Sequence, residues 1–175
     1  ELTILAADEG ARTEVEGAVA AAREIVAGVY LARDLVNWPG NYATPTFLAQ
    51  KAQGIAQEYG LACQVLDKAQ MAALGMGALL GVAQGSDQPA RFIVLEHNAG
   101  RSDLDTVVLV GKAITFDSGG ISLKPGEDMG AMKGDMAGGA AVLGTMRTAA
   151  ALQLPLHVVA TGSSSRPTQI TYRVS

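Results

Sequence analysis

Two hydrophobic rhythms divide this chain. In the first part Val15, Val19, Ala22, Val26 and Val29 recur at spacings of three and four, the apolar stripe of an amphipathic helix. The pattern predicts a helix that begins at Thr13, where Glu16 three residues on completes a capping-box pattern, and that stops near Trp38-Pro39-Gly40. A second start signal, Thr44-Pro45-Thr46, predicts a helix to Glu58 or Tyr59 closed by Gly60. Short apolar runs bounded by turn residues then predict strands at 61–66, 78–83, 91–96, 106–110 and 155–160. A short helix is expected at 67–74, and a helix of small residues at 137–152. Residues 1–12 read as a short strand ending in a polar turn, the tail of a preceding domain or a linker. Strands interleaved with helices in this order predict an α/β fold, with helices layered on a mixed sheet.

The stretch from Val107 to Met136 departs from both rhythms. A β-branched run that reads as a buried strand, Val107 to Val110, passes straight into Lys112, Asp117, Lys124, Glu127, Asp128, Lys133 and Asp135, interspersed with glycines. Glycine lets backbone approach a ligand closely, and open α/β sheets place their sites at the carboxyl ends of strands. Asp117 and Asp135 are hard oxygen donors suited to Mg²⁺, Mn²⁺ or Zn²⁺. A lysine beside dications can give up its proton and ligate through nitrogen, whereas a lysine kept protonated can stabilise an oxyanion. The same residues also admit a plainer account. Asp117-Ser118-Gly119-Gly120 can be a hairpin turn in which the aspartate bonds its own backbone. Lys112 and Asp117 can be a structural ion pair, and Glu127 and Asp128 a solvated loop face. Spacing alone leaves both accounts open.

The literal string is more specific. Gly111-Lys112, Thr115-Phe116-Asp117-Ser118-Gly119-Gly120, Ser122-Leu123-Lys124-Pro125 and Met132-Lys133-x-Asp135-Met136 together resemble the signature of the leucyl aminopeptidase (cytosol aminopeptidase) family. One departure is Ala113, where that family usually has glycine. The resemblance covers roughly residues 15–160 and implies the first half of a catalytic domain. It implies a three-layer α/β/α sandwich with a mixed sheet, incomplete at its C-terminal end. It also implies two divalent metal ions, Mn²⁺ or Zn²⁺, ligated in part by Lys112, Asp117 and Asp135, with Lys124 as the electrophilic catalytic lysine. The implied activity is release of N-terminal, leucine-type residues from peptides with a free N-terminus, in a cytoplasmic homo-oligomer that is hexameric in the family.

Composition narrows the remaining classes. The 175 residues carry a formal net charge of −4 and are 49% hydrophobic, enough for one domain with a core and a poor match to a nucleic-acid partner. A single cysteine, Cys63, rules out an internal disulfide framework and fits a reducing compartment. No apolar run reaches membrane-spanning length, so no membrane partner is expected. Met71 and Met76 read as core or pocket filler, His97 as a structural or surface histidine at a strand end, and His157 as a satisfied histidine of the sheet. Glu1 in place of an initiator methionine predicts a fragment or processed product. Residues 13–160 are expected to be the partial catalytic domain and 161–175 an atypical polar tail. The resemblance implies a further segment with Asp and Glu ligands and an arginine after the last strand. The tail contains no Asp or Glu, and Arg166 and Arg173 lie out of context. The alternative function is therefore a non-catalytic truncated product, inactive or acting only through oligomer contacts.

Overall fold

The computed structural model describes residues 2–165. Helix α1 spans Glu9–Asn37, four residues earlier than the stripe predicts. Its cap is Asp8, whose carboxylate accepts the Ala11 amide at 2.8 Å. Thr13 is no cap; its hydroxyl donates to the Glu9 carbonyl at 3.1 Å inside the helix. The strand expected near the start is absent, since residues 2–6 are irregular and none of the described strands pairs with them. Helix α2 (Pro45–Tyr59) follows the sequence closely. Thr44 Oγ1 accepts the Phe47 amide at 3.2 Å, Pro45 sits in the first turn, and Gly60 closes the end at φ +70°.

Four strands form the sheet: β1 (Ala62–Leu66), β2 (Arg91–His97), β3 (Thr106–Ile114) and β4 (His157–Ser165). Their order is β1-β2-β4-β3. The β1–β2 and β2–β4 pairs are antiparallel and β3–β4 is parallel, so the sheet is mixed as expected. Strand β4 continues to Ser165 rather than ending at Ala160. The rest of the expected tail, residues 166–175, lies outside the described residues.

The expected strand at 78–83 is instead a helix. After α3 (Lys68–Ala73), α4 spans Gly77–Ala83. A short apolar run cannot be assigned to strand or helix by periodicity alone. Here Leu79, Leu80 and Ala83 fall on one side of a helical turn and pack against the buried cluster of Leu66, Met71 and Ala90.

Helix α5 (Ala137–Ala151) and α2 cover one face of the sheet. Leu48, Ile55, Ile93, Leu95, Leu143 and Ala160 form the core between them, and α1 packs along α5. The opposite face is covered by α3 and α4 over β1, β2 and part of β4, and α4 reaches the carboxyl end of β3. At its β3 end that face is open: Val108 is 60% and Val110 79% exposed, while Leu109 between them packs into the core. The layering is thus α/β/α, with the second helical layer partial. No described helix is long and apolar enough to cross a membrane.

Both histidines serve the sheet. His97 is buried with Nε2 3.0 Å from the Leu154 carbonyl. His157 bridges three strands, with Nε2 2.7 Å from Glu96 Oε1 and Nδ1 2.9 Å from Thr106 Oγ1. Met71 is fully buried and Met76 packs beside it.

Candidate active site

The parallel pair β3–β4 is joined by a crossover that holds the charged stretch and α5, so the carboxyl end of β3 opens onto that stretch. The strand and α5 meet in direct backbone contact. A Cβ at Gly111 would lie 2.7 Å from the Gly138 carbonyl oxygen and 2.8 Å from Gly139 Cα, so only glycine permits this approach. That contact brings the start of α5 alongside Lys112.

Lys112 stands on the open face of β3, two residues before Ile114 and on the same side. Just past the strand, Asp117 Oδ1 accepts the Gly119 amide at 2.9 Å. Gly119 has φ +89°, and a Cβ there would collide with the Ser122 carbonyl oxygen. The Lys124 amide donates to the Ser118 carbonyl at 2.9 Å and closes the loop. This places Lys124 Nζ 3.1 Å from Asp117 Oδ2. Residues Met129–Met136 then form a 3₁₀ helix. The buried Met136 anchors it, and Lys133 Nζ donates to the Asn37 carbonyl at 3.0 Å, at the carboxyl end of α1. Asp135 is thereby turned toward β3, where Oδ1 accepts from Lys112 Nζ at 2.7 Å.

Lys112, Asp117 and Asp135 line one cleft of about 430 Å³, with Ile114, Gly81 and Val82 as its apolar lining. Lys124 reaches it through its bond to Asp117. The simple ion pair of Lys112 with Asp117 does not form. The pairs are crossed, Lys112 with Asp135 and Lys124 with Asp117. The aspartate does bond its own loop, but it does so within a cleft and not in a strand hairpin. Glu127 and Asp128 are exposed to solvent, as the plainer account has them. Sequence reasoning missed Gly81, Val82 and Ile114. The alternation of Lys112 and Ile114 along β3 was a usable signal, whereas nothing local pointed to α4.

Burial pushes the Asp117 pKa up, but the Gly119 amide, then Lys124 and Lys112, outweigh it and hold the group below its ordinary value. A depressed carboxyl stabilises the fold above its unfolded pKa, about 3.9 for aspartate, and loses that contribution as pH falls through the folded value. The metal-free protein should therefore melt progressively lower as pH drops through that window. The acid limb should be shallower in Asp117→Asn, as read by melting temperature against pH. Identical slopes in the two proteins would contradict this.

The donor set fits a cation as part of a larger set. Among the described residues there is no group of three or more His, Cys, Asp or Glu side chains able to hold a metal ion. Two carboxylates and a lysine nevertheless share the cleft. Asp135 Oδ2 is buried and, among the described residues, has no hydrogen-bond partner. An unsatisfied buried carboxylate oxygen is costly, and a bound cation would supply what it lacks.

Known proteins show the family. The catalytic domain of the cytosol aminopeptidase family matches residues 30–166. A probable cytosol aminopeptidase of Syntrophotalea carbinolica is 57% identical over 159 residues, 91% of this chain and 32% of that protein. The cytosol aminopeptidase of Pseudomonas aeruginosa is 47% identical, over all of this chain and 37% of its own length. Among solved structures, the bottromycin maturation enzyme BotP in complex with Mn superposes with a TM-score of 0.77 at 38% identity. The match covers 92% of this chain and 34% of BotP, and it shares the α/β fold described above. The chain spans about a third of the length of these relatives. It belongs to the cytosol aminopeptidase family and represents part of that family's catalytic domain.

Proposed function

We propose that the complete protein is a metal-dependent aminopeptidase that releases N-terminal, leucine-type residues from peptides, and that this chain supplies part of its site. The observation that carries the proposal is the buried, unpartnered Oδ2 of Asp135 in a cleft that also holds Asp117 and Lys112. These three residues would hold divalent metal, Mn²⁺ or Zn²⁺, through two carboxylates and an amine nitrogen. A Mn-bound relative with the same fold supports the choice of hard dications. When bound, such ions supply Lewis-acid polarisation of the scissile carbonyl and lower the pKa of water.

The remaining work falls to the protein. Lys124, held at 3.1 Å by Asp117, keeps its ammonium at the cleft and donates to the carbonyl oxygen as negative charge builds there. Asp117 thereby has two tasks, ligating and orienting Lys124. The Asp117–Gly119 bond and the Ser118–Lys124 bond keep this loop fixed before substrate arrives, so little reorganisation is needed during reaction. Cytoplasmic location belongs to the same proposal, supported by relatives named for the cytosol, and assembly into a hexamer is the part that rests on the family resemblance alone.

Lys124→Met in the complete enzyme tests the assignment. Loss of one preorganised oxyanion donor costs about 10²–10³ in kcat. The expected result is a loss of that size, with metal content unchanged and KM altered only a few-fold. A variant with undiminished kcat would remove Lys124 from the mechanism.

A further inference from the structure

Resting on the aminopeptidase reading, we infer that α4 is a size-selecting wall of the cleft, with Gly81 and Val82 in contact with a side chain of the bound peptide. The cleft is chemically two-sided. Lys112, Asp117 and Asp135 bring the charge, and Ile114, Gly81 and Val82 bring apolar surface. A peptide bond drawn to the charged side leaves its neighbouring side chains to lie along the apolar one.

Helix α4 is built to hold that surface still. Leu79, Leu80 and Ala83 pack against the Met71 cluster, and α3 packs beside it. Gly81 and Val82, between those anchors, fall on the side toward the cleft. Val82 is 47% exposed there. At Gly81 an added Cβ meets nothing within 4 Å among the described residues, so the missing side chain is open space in the cleft they form and serves no close packing between them. Glycine is a poor helix former, and among the described residues no tight contact requires it here, nor does a positive φ. Room for substrate explains why it stands there.

Steric selection by an apolar wall has a known scale: one methylene changes discrimination by about 10–200-fold. The test uses the complete metal-loaded enzyme and two substrate series. In one the released residue is Ala, Leu or Trp on a common amide, and in the other the residue after a fixed N-terminal Leu is varied in the same way. Gly81→Leu should lower kcat/KM for the tryptophan member of at least one series by about tenfold or more relative to its alanine member. Val82→Ala should move the same ratio the other way. The change should lie mainly in KM, as expected for binding contacts that do not alter in the transition state. Calorimetric dissociation constants for free alanine and tryptophan provide a readout apart from turnover, and they should shift in the same sense if the released residue lies against α4. If both variants scale every member of both series by one factor, the wall does not select and the inference fails while the aminopeptidase reading stands. If the unmodified enzyme hydrolyses no member of either series and binds no amino acid, the functional reading fails and takes this inference with it.

Discussion

Asp135→Asn in the complete enzyme is expected to abolish stable metal binding and peptidase activity together. The substitution keeps shape and removes one negative charge from a carboxylate whose second oxygen is buried and, among the described residues, without a partner. Loss of an outer partner of a metal ligand already costs about 10–100-fold in affinity, so loss of a ligand's charge should exceed that. Asp117→Asn should be as damaging, because it also loosens the hold on Lys124. A structural role predicts a different result. Without metal, Asp135 has among the described residues one ion pair, with Lys112, whose side chain is 61% exposed while that of Asp135 is 19% exposed, and solvent around the lysine holds the pair's contribution to about 1 kcal/mol. The metal-free Asp135→Asn protein should therefore melt close to the unmodified protein while its metal content after dialysis collapses. A variant with normal metal content and full turnover would refute the ligand assignment. A large loss of metal-free stability would show that Asp135 is mainly structural.

The elements legible in the sequence were those whose signals are local. Helix α2 carries its Thr44 cap, its Pro45 start and its Gly60 end within the segment itself, and both ends match. Strands β2 and β3 are apolar β-branched runs that start where expected, although β3 runs on past the expected end to Ile114. The failures came where tertiary contact decides. The seven residues of α4 have no side-chain cap, and their helical state rests on Leu79 and Leu80 meeting Met71. The start of α1 was misplaced because Thr13 and Glu16 make as good a local signal inside a helix as Asp8 makes at its end. The site divides in the same way. Lys112, Asp117, Lys124 and Asp135 could be named from the string, but not their crossed pairing. Lys112 meets Asp135 across 23 residues only because Gly111 lets α5 approach β3 and a 3₁₀ helix turns Asp135 inward.

The polypeptide of residues 1–175, purified by itself, should show no aminopeptidase turnover above background and should bind Mn²⁺ or Zn²⁺ weakly. Its cleft offers two carboxylates, and residues 166–175 add no Asp or Glu side chain. Two carboxylates cannot neutralise two dications, so a second ion would meet net repulsion from the first at short range. A single ion should bind weakly, because affinity rises with the number of charged ligands and two carboxylates are few. Lys124 would then act without the second cationic group that the family resemblance implies, and loss of one such stabiliser alone costs about 10²–10³ in rate. The polypeptide should also associate. Strand β3 is an edge of the described sheet, and Val108 and Val110 on its open face are largely exposed, which favours edge pairing and apolar contact between copies. A leucine-derived chromogenic amide assayed with each metal, alongside sedimentation of the same sample, measures both effects. Turnover comparable to an intact relative would overturn the expectation, and would mean that a second copy or residues 166–175 supply ligands that the described cleft does not contain.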